Sequence, residues 1–197
     1  MIQRLSIITI AILITATTAF ASVTDTVRKT VDDVITIVSN KEMKKKSNEH
    51  KRRVAIKKAI ASVFDSEEMA RRTLGKHWNQ RSPQERKQFV ELFATLLENS
   101  YAGKIESYNN ERIVYTREQI DGSFAEVKSK VITPKKDEYT LDYRLLQKGS
   151  KWVVYDIVIE GVSLVSNYRT QFNKIISTNG YPELVKKLQN KSNELKL

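Results

Sequence analysis

"WVVYDIVIEGVSLVSNYRTQF", Trp152 to Phe172, is the stretch whose reading decides the fold. Its opening run puts Val153, Tyr155, Ile157 and Ile159 on one face of an extended segment, and Trp152, Val154, Asp156 and Val158 on the other. A strand with apolar residues on both faces is buried on both, so one face packs on helices and the other meets more protein or a ligand cavity. After Gly161 the period changes, and Leu164, Val165, Tyr168, Phe172, Ile175 and Ile176 recur at helical spacing. A core strand therefore runs almost directly into a core helix.

Working back from Trp152, the chain alternates with period two. "FAEVKSKVI" sets Ala125, Val127, Ser129 and Val131 against Glu126, Lys128 and Lys130, and "YTLDYRLL" sets Tyr139, Leu141, Tyr143 and Leu145 against Thr140, Asp142 and Arg144. With Asp121-Gly122 and Lys148-Gly149 as hairpin turns, four antiparallel strands are expected at roughly 112 to 120, 124 to 133, 138 to 147 and 151 to 160. Before them the period is helical. Val27, Val31, Val34, Ile35 and Val38 mark a first helix over 24 to 39, and Ile56, Ile60, Val63 and Phe64 continue the pattern after a basic stretch.

Asp65 is placed as the N-cap of a third helix with Glu68 as its reciprocal partner, and Gly75 is placed to end it. Ser82, Pro83 and Glu85 then open a long helix whose apolar stripe is Phe89, Leu92, Phe93, Leu96, Leu97, Tyr101, Ile105 and Tyr108. At the far end the chain breaks at Gly180-Tyr181-Pro182 and closes with an exposed helix. The architecture predicted is α+β: N-terminal helices, a four-stranded antiparallel meander, and C-terminal helices packed on the sheet around an apolar cavity.

The first 21 residues carry one early cation, Arg4, then an uncharged apolar run and the small-x-small site Ala19-Phe20-Ala21, which is the pattern of a secretory leader cleaved after Ala21. Residues 22–197 then form a single domain, exported to a periplasm. Cysteine is absent, which excludes thiol catalysis, thiolate metal sites and disulfide support. The net charge is +11, and only one of the 34 cations lies in the leader. For an exported chain that surplus points to anionic lipid headgroups or an acidic protein surface, not to nucleic acid. It concentrates in Lys41 to Lys58, with nine Lys/Arg against two Glu.

Signals for chemistry are sparse. His50 and His77 are too few for a metal cluster and lack metalloprotease spacing. "GVSLV" starts like a nucleophile elbow, but Val165 stands where the second glycine belongs, so Ser163 reads as a turn or helix-cap hydroxyl. Asp156 among apolar residues is either a base with a raised pKa or a carboxylate held by backbone groups or an arginine.

Two blocks of sequence carry a family resemblance. The first holds Phe64-Asp65, Met69-Ala70-Arg71, Leu74-Gly75 with Trp78, and Phe89 with Tyr101; the second holds Trp152, Tyr155-Asp156, Glu160 to Val165, and Tyr168-Arg169 with Phe172. In this order they resemble the MlaC family, also called the toluene-tolerance auxiliary family, of periplasmic phospholipid-binding proteins. Glu85-Arg86 departs from the Gln-Arg of that pattern.

The resemblance implies a soluble, non-catalytic shuttle with no cofactor, whose cargo is a diacyl glycerophospholipid, and a monomer suits such a diffusing carrier. It implies transfer between outer and inner membranes, preserving outer-membrane lipid asymmetry, with two partners: an inner-membrane ABC transporter complex containing an MCE-domain protein, and an outer-membrane lipoprotein associated with a porin. Acyl chains cost about 0.8 kcal/mol per methylene to expose to water, so a lipid must cross inside a protein. On this reading Val162, Leu164 and Val165 line or lid the cavity, and Tyr168 and Arg169 sit at its mouth, where a guanidinium can meet a phosphodiester. Leu97, Tyr101, Tyr108, Trp152 and Tyr155 are further candidate lipid contacts that could equally be simple core, and Arg169 could instead be a salt bridge holding the last helices to the sheet. Two other readings stand beside the carrier: a small enzyme acting on an apolar substrate with Asp156 as base, and a lipid-free adaptor that binds an acidic envelope protein through Lys44 to Lys58.

Overall fold

The computed structural model describes residues 22–194, and the expected leader with its Ala21 cleavage site lies outside them. Helix α1, Val23–Ser39, starts at Ser22, whose hydroxyl accepts the N–H of Asp25 at 3.0 Å. A short α2, Lys41–Lys44, and a 3-10 turn at Lys46–Asn48 lead into α3, Glu49–Ala61. Helix α4 spans Ser66–Leu74, a 3-10 segment Gly75–Gln80, and α5 Pro83–Glu106. Strands β1 Arg112–Asp121, β2 Phe124–Ile132, β3 Glu138–Lys148, β4 Lys151–Ile159 and β5 Val162–Ser163 follow, then α6 Leu164–Asn179 and α7 Tyr181–Glu194.

The sheet is an antiparallel meander in the order β1-β2-β3-β4-β5. It has one strand more than the alternation predicted. Glu160 and Gly161, with φ of 49° and 77°, form a two-residue reversal that folds Val162 back onto Ile159 before the helix begins. The long helix starts as expected, because Ser82 and Glu85 exchange bonds at 3.2 and 2.8 Å as a full capping box.

Several local expectations are revised. Val63 and Phe64 leave the helical pattern: the carbonyl of Val63 accepts the Val154 N–H at 2.8 Å, and Asp65 N–H donates to the Val154 carbonyl at 2.9 Å. This segment therefore guards the outer edge of β4, which β5 covers further along. Asp65 caps α4 by accepting the Glu68 N–H at 2.9 Å, but Glu68 does not reciprocate, because two arginines draw its carboxylate away. Helix α5 ends at Glu106, so Tyr108 lies beyond its stripe. The final helix is not simply exposed, since Tyr181, Leu184 and Leu188 are buried.

Two apolar cores result. In one, α1 lays Val23 and Val27 on the sheet face formed by Ala125, Val127, Tyr143, Leu145 and Val154. In the other, α4 to α7 enclose Met69, Leu74, Phe89, Phe93, Phe172 and Leu184. Phe64 packs against both and joins them.

The doubly apolar strand carries the most consequential difference. Arg144 pairs with Asp156 but Leu145 pairs with Val154, so Tyr155 is an extra residue, a β-bulge. The bulge reverses the alternation partway along β4. Trp152 and Val154 share a face with Ile157 and Ile159, while Asp156 and Val158 share the other, so Asp156 does not face with Trp152 and Val154. Strict period two cannot reveal such an insertion.

Candidate functional site

The site is built on two facing stripes. Phe89, Phe93, Leu97 and Tyr101 recur every four residues along α5, and Val165, Tyr168 and Phe172 share one side of α6. Phe89 and Phe93 stack with centroids 5.9 Å apart, and Phe172 stands edge-on to both, at 5.8 and 5.9 Å. Tyr168 sets its ring edge-on to Phe93 at 5.5 Å and tilted to Phe172 at 5.5 Å. Phe89 and Phe93 are sealed, whereas Leu97, Tyr101 and Ile105 further along are only half-buried, so the apolar surface opens toward the C-terminal end of α5. There burial, with the Tyr168 phenol nearby, holds the Tyr101 hydroxyl above its ordinary pKa. Lys104 Nζ stands 5.6 Å over the Tyr101 ring.

Of the ten lipid-contact candidates, Leu97, Val165 and Tyr168 lie in or against the helical core, with Tyr101 beside Tyr168. Leu164 is buried at the start of α6. The others disperse. Trp152 packs in the sheet core beneath α1, Tyr108 sits in the loop before β1, and Val162 is 55% exposed on β5. Tyr155, the bulged residue, lies under the Arg72 guanidinium at 3.9 Å and edge-on to Phe124 at 6.2 Å. That stack was not legible from sequence, because the bulge that aims Tyr155 leaves no mark in the alternation.

Arg169 holds helix to helix, not helix to sheet. Its Nε donates to the carbonyl of Arg72 on α4 at 2.7 Å, and its stem crosses Gly75. A Cβ at Gly75 would lie 3.6 Å from Arg169 Cδ, and the Gly75 φ of 54° is one a side chain rarely adopts. The guanidinium borders an open cleft of about 670 Å³, whose charged lining is Arg71, Arg72, Lys76 and Arg169, without a carboxylate. A second cleft of about 400 Å³ lies against Trp78, Pro83, Arg86 and Val90. Neither cleft is lined mainly by apolar side chains.

Beneath the first cleft, Glu68 is buried and its two oxygens receive Arg71 at 2.8 and 2.6 Å and Arg72 at 2.7 Å. The Arg71 hydrogen bonds hold its pKa below the usual carboxylate value, against the opposing effect of burial. The spacing of Glu68, Arg71 and Arg72 at i, i+3 and i+4 was the available sequence signal for this triad.

Asp156 is fully engaged. Oδ2 accepts Ser163 Oγ at 2.6 Å and Arg144 at 3.4 Å, while Oδ1 accepts the N–H of Val165 at 3.0 Å. Ser163 in turn caps α6 by accepting the Ser166 N–H at 3.0 Å. The carboxylate thus splices β4 to the first turn of α6, the second of the two readings its setting allowed. On the sheet, burial pushes Tyr115 up to about 12, and its hydroxyl is enclosed without a hydrogen-bond partner among the described residues.

Among the described residues no group of three or more His, Asp or Glu side chains is disposed to hold a metal, and no helix is long and apolar enough to cross a membrane.

Fold and site together define an α+β protein whose helical layer meets a bulged meander through one shared aromatic, with a half-open apolar stripe at the long helix. The MlaC protein family profile matches residues 28–190, and the chain belongs to that family. It is 24% identical over 172 residues to the intermembrane phospholipid transport system binding protein MlaC of Haemophilus influenzae, covering 85% of this chain and 80% of the relative. It is 25% identical over 158 residues to the toluene tolerance protein ttg2D of Pseudomonas putida, covering 79% of this chain and 74% of the relative. A phospholipid-binding protein from Ralstonia solanacearum, solved in complex with a phospholipid, superposes with a TM-score of 0.81 at 29% identity, over 90% of this chain and all of that one.

Proposed function

We propose that this protein is a non-catalytic periplasmic carrier that takes up one glycerophospholipid and moves it between the outer and inner membranes. The observation that carries this reading is the match over the whole length of the Ralstonia solanacearum protein, whose structure holds a phospholipid. The α5 stripe supports it physically, since half-buried Leu97, Tyr101 and Ile105 offer apolar surface next to a sealed aromatic floor. The acyl chains enter between α5 and α6 at this open end, with Leu97, Tyr101 and Tyr168 as the contacts. The Arg169 guanidinium keeps its two Nη groups for an anionic headgroup, because its hydrogen bond to a partner among the described residues uses Nε. Partners of the two kinds the family resemblance implies, an inner-membrane transporter complex and an outer-membrane lipoprotein, would supply direction.

The test is native mass spectrometry of the leader-free protein from a bacterial periplasm, followed by lipid extraction. One diacyl phospholipid mass per chain is the expected result. A bare polypeptide with no stoichiometric lipid in the extract overturns the carrier reading.

A further inference from the structure

The α2–α3 segment holds nine of the chain's cations, and neither the apolar stripe nor the clefts use them. They divide into two sets by what they touch. Arg52 turns inward, bonding Glu106 at 3.1 Å and the Met43 carbonyl at 2.5 Å, and the exposed Arg53 pairs with Glu49 at 3.0 Å. Lys57 reaches Glu98 at 2.9 Å and Lys45 reaches Glu42 at 2.8 Å. Both acids of the segment, Glu42 and Glu49, are therefore already matched by a cation. Lys41, Lys44, Lys46, Lys51 and Lys58 are exposed, and among the described residues none of them has a carboxylate partner.

These lysines are gathered on exposed positions of α2, the 3-10 turn and α3. On α3 the inner side holds Arg52, Ile56, Ala59 and Ile60, and the outer side holds Lys51, Val54 and Lys58 at i, i+3 and i+7. Asn48 ties α2 back by donating to the Glu42 carbonyl at 2.7 Å, which with the Arg52 bond fixes Lys41 and Lys44 beside the start of α3. Val54, at the centre of the outer stripe, is 53% exposed.

We propose that the outer face of α2–α3 docks the protein on an anionic phospholipid bilayer. The cations left over are lysines, compact charges without the planar fork that reads one carboxylate, and this suits a diffuse negative plane better than a particular acidic side chain. Neither of the two clefts described above is lined by a residue of this segment. Val54 adds a short apolar contact at headgroup depth. Arg52 and Lys57 tie α3 to Glu106 and Glu98 at the C-terminal end of α5, so the lysine face lies on the opposite side of α3 from the residues that meet the stripe-bearing helix. Docking and cargo binding are separated by the test below.

The experiment is co-sedimentation of the leader-free protein with vesicles of phosphatidylcholine containing one-third phosphatidylglycerol, and with pure phosphatidylcholine, at low and high salt. Binding to the anionic vesicles alone, lost at high salt, is expected. Changing Lys44, Lys46, Lys51 and Lys58 together to Gln lowers the partition coefficient at least about tenfold. The matched set Lys135, Lys151, Lys174 and Lys186 to Gln removes the same charge from exposed positions that line neither cleft and leaves partitioning nearly unchanged. Val54→Ser weakens binding without altering its salt dependence. No binding to anionic vesicles, or equal losses in the two quartets, overturns the proposal. Failure on vesicles with retained binding to polyglutamate overturns it in favour of an acidic protein partner. Lipid extraction from the same quartet variant separates docking from carriage, because stoichiometric cargo is retained there if only docking is lost.

Discussion

Asp156 on β4 accepts the backbone N–H of Val165 at 3.0 Å, so a buried carboxylate forms the joint between the sheet and the helix that follows it. The same group takes Ser163 Oγ, whose hydroxyl oxygen caps α6. One side chain thereby fixes where the helical layer leaves the sheet.

Asp156→Ala leaves the Val165 N–H and the Ser163 hydroxyl without their acceptor in a closed site. The expected loss of stability is about 2–4 kcal/mol by denaturant unfolding. Asp156→Asn keeps an acceptor and costs less. A folded Asp156→Asn variant retains its lipid; loss of function with unchanged stability would instead favour the base reading.

Val165 is 2% exposed, so Val165→Glu would bury a carboxylate in the helical core and disturb folding before it reports on cargo. Leu97→Asp is the sharper probe, because Leu97 is half-buried at the open end of the α5 stripe. The expected outcome is a cooperative thermal transition with lipid recovery reduced severalfold. Full recovery from the folded variant removes Leu97 from the site.

Gly75→Ala introduces a side chain at a φ of 54° and against the Arg169 stem. A loss of about 1–3 kcal/mol is expected, read as a shift of the urea midpoint at constant slope.

Glu68 has its folded pKa held below the ordinary carboxylate value of 4.5, chiefly by the Arg71 hydrogen bonds. A depressed carboxylate pKa contributes stability that is complete above the unfolded value and fades as pH falls through the folded one. Unfolding free energy should therefore drop below about pH 4.5, and Glu68→Gln should flatten that part of the profile while lowering stability at neutral pH. An unchanged acid limb in a folded Glu68→Gln variant would assign the sensitivity elsewhere.

Much of this fold is local in origin, and those parts were legible in the sequence. The Ser82-Pro83-Glu85 start of α5, the alternation of β2 and β3, and the apolar period of α6 each follow from neighbours a few residues apart, so the linear chain determines them. The two sequence blocks from Phe64 and from Trp152 carried the family resemblance for the same reason, since motifs are read along the chain. What only the tertiary structure decided are relationships between distant residues. The Tyr155 bulge exists because β4 must pair with β3 in one register near Leu145 and another near Arg144, and that choice reverses the side-chain alternation along β4. The chain leaves its helical period at Val63 and Phe64 because the edge of β4 bonds the Val63 carbonyl and the Asp65 N–H on either side of Phe64, Glu68 abandons its cap for two arginines, and Arg169 finds a carbonyl 97 positions away on α4. In each case a partner distant in sequence, brought within bonding distance by packing, outweighed the local preference, and no local pattern records where such a partner will be.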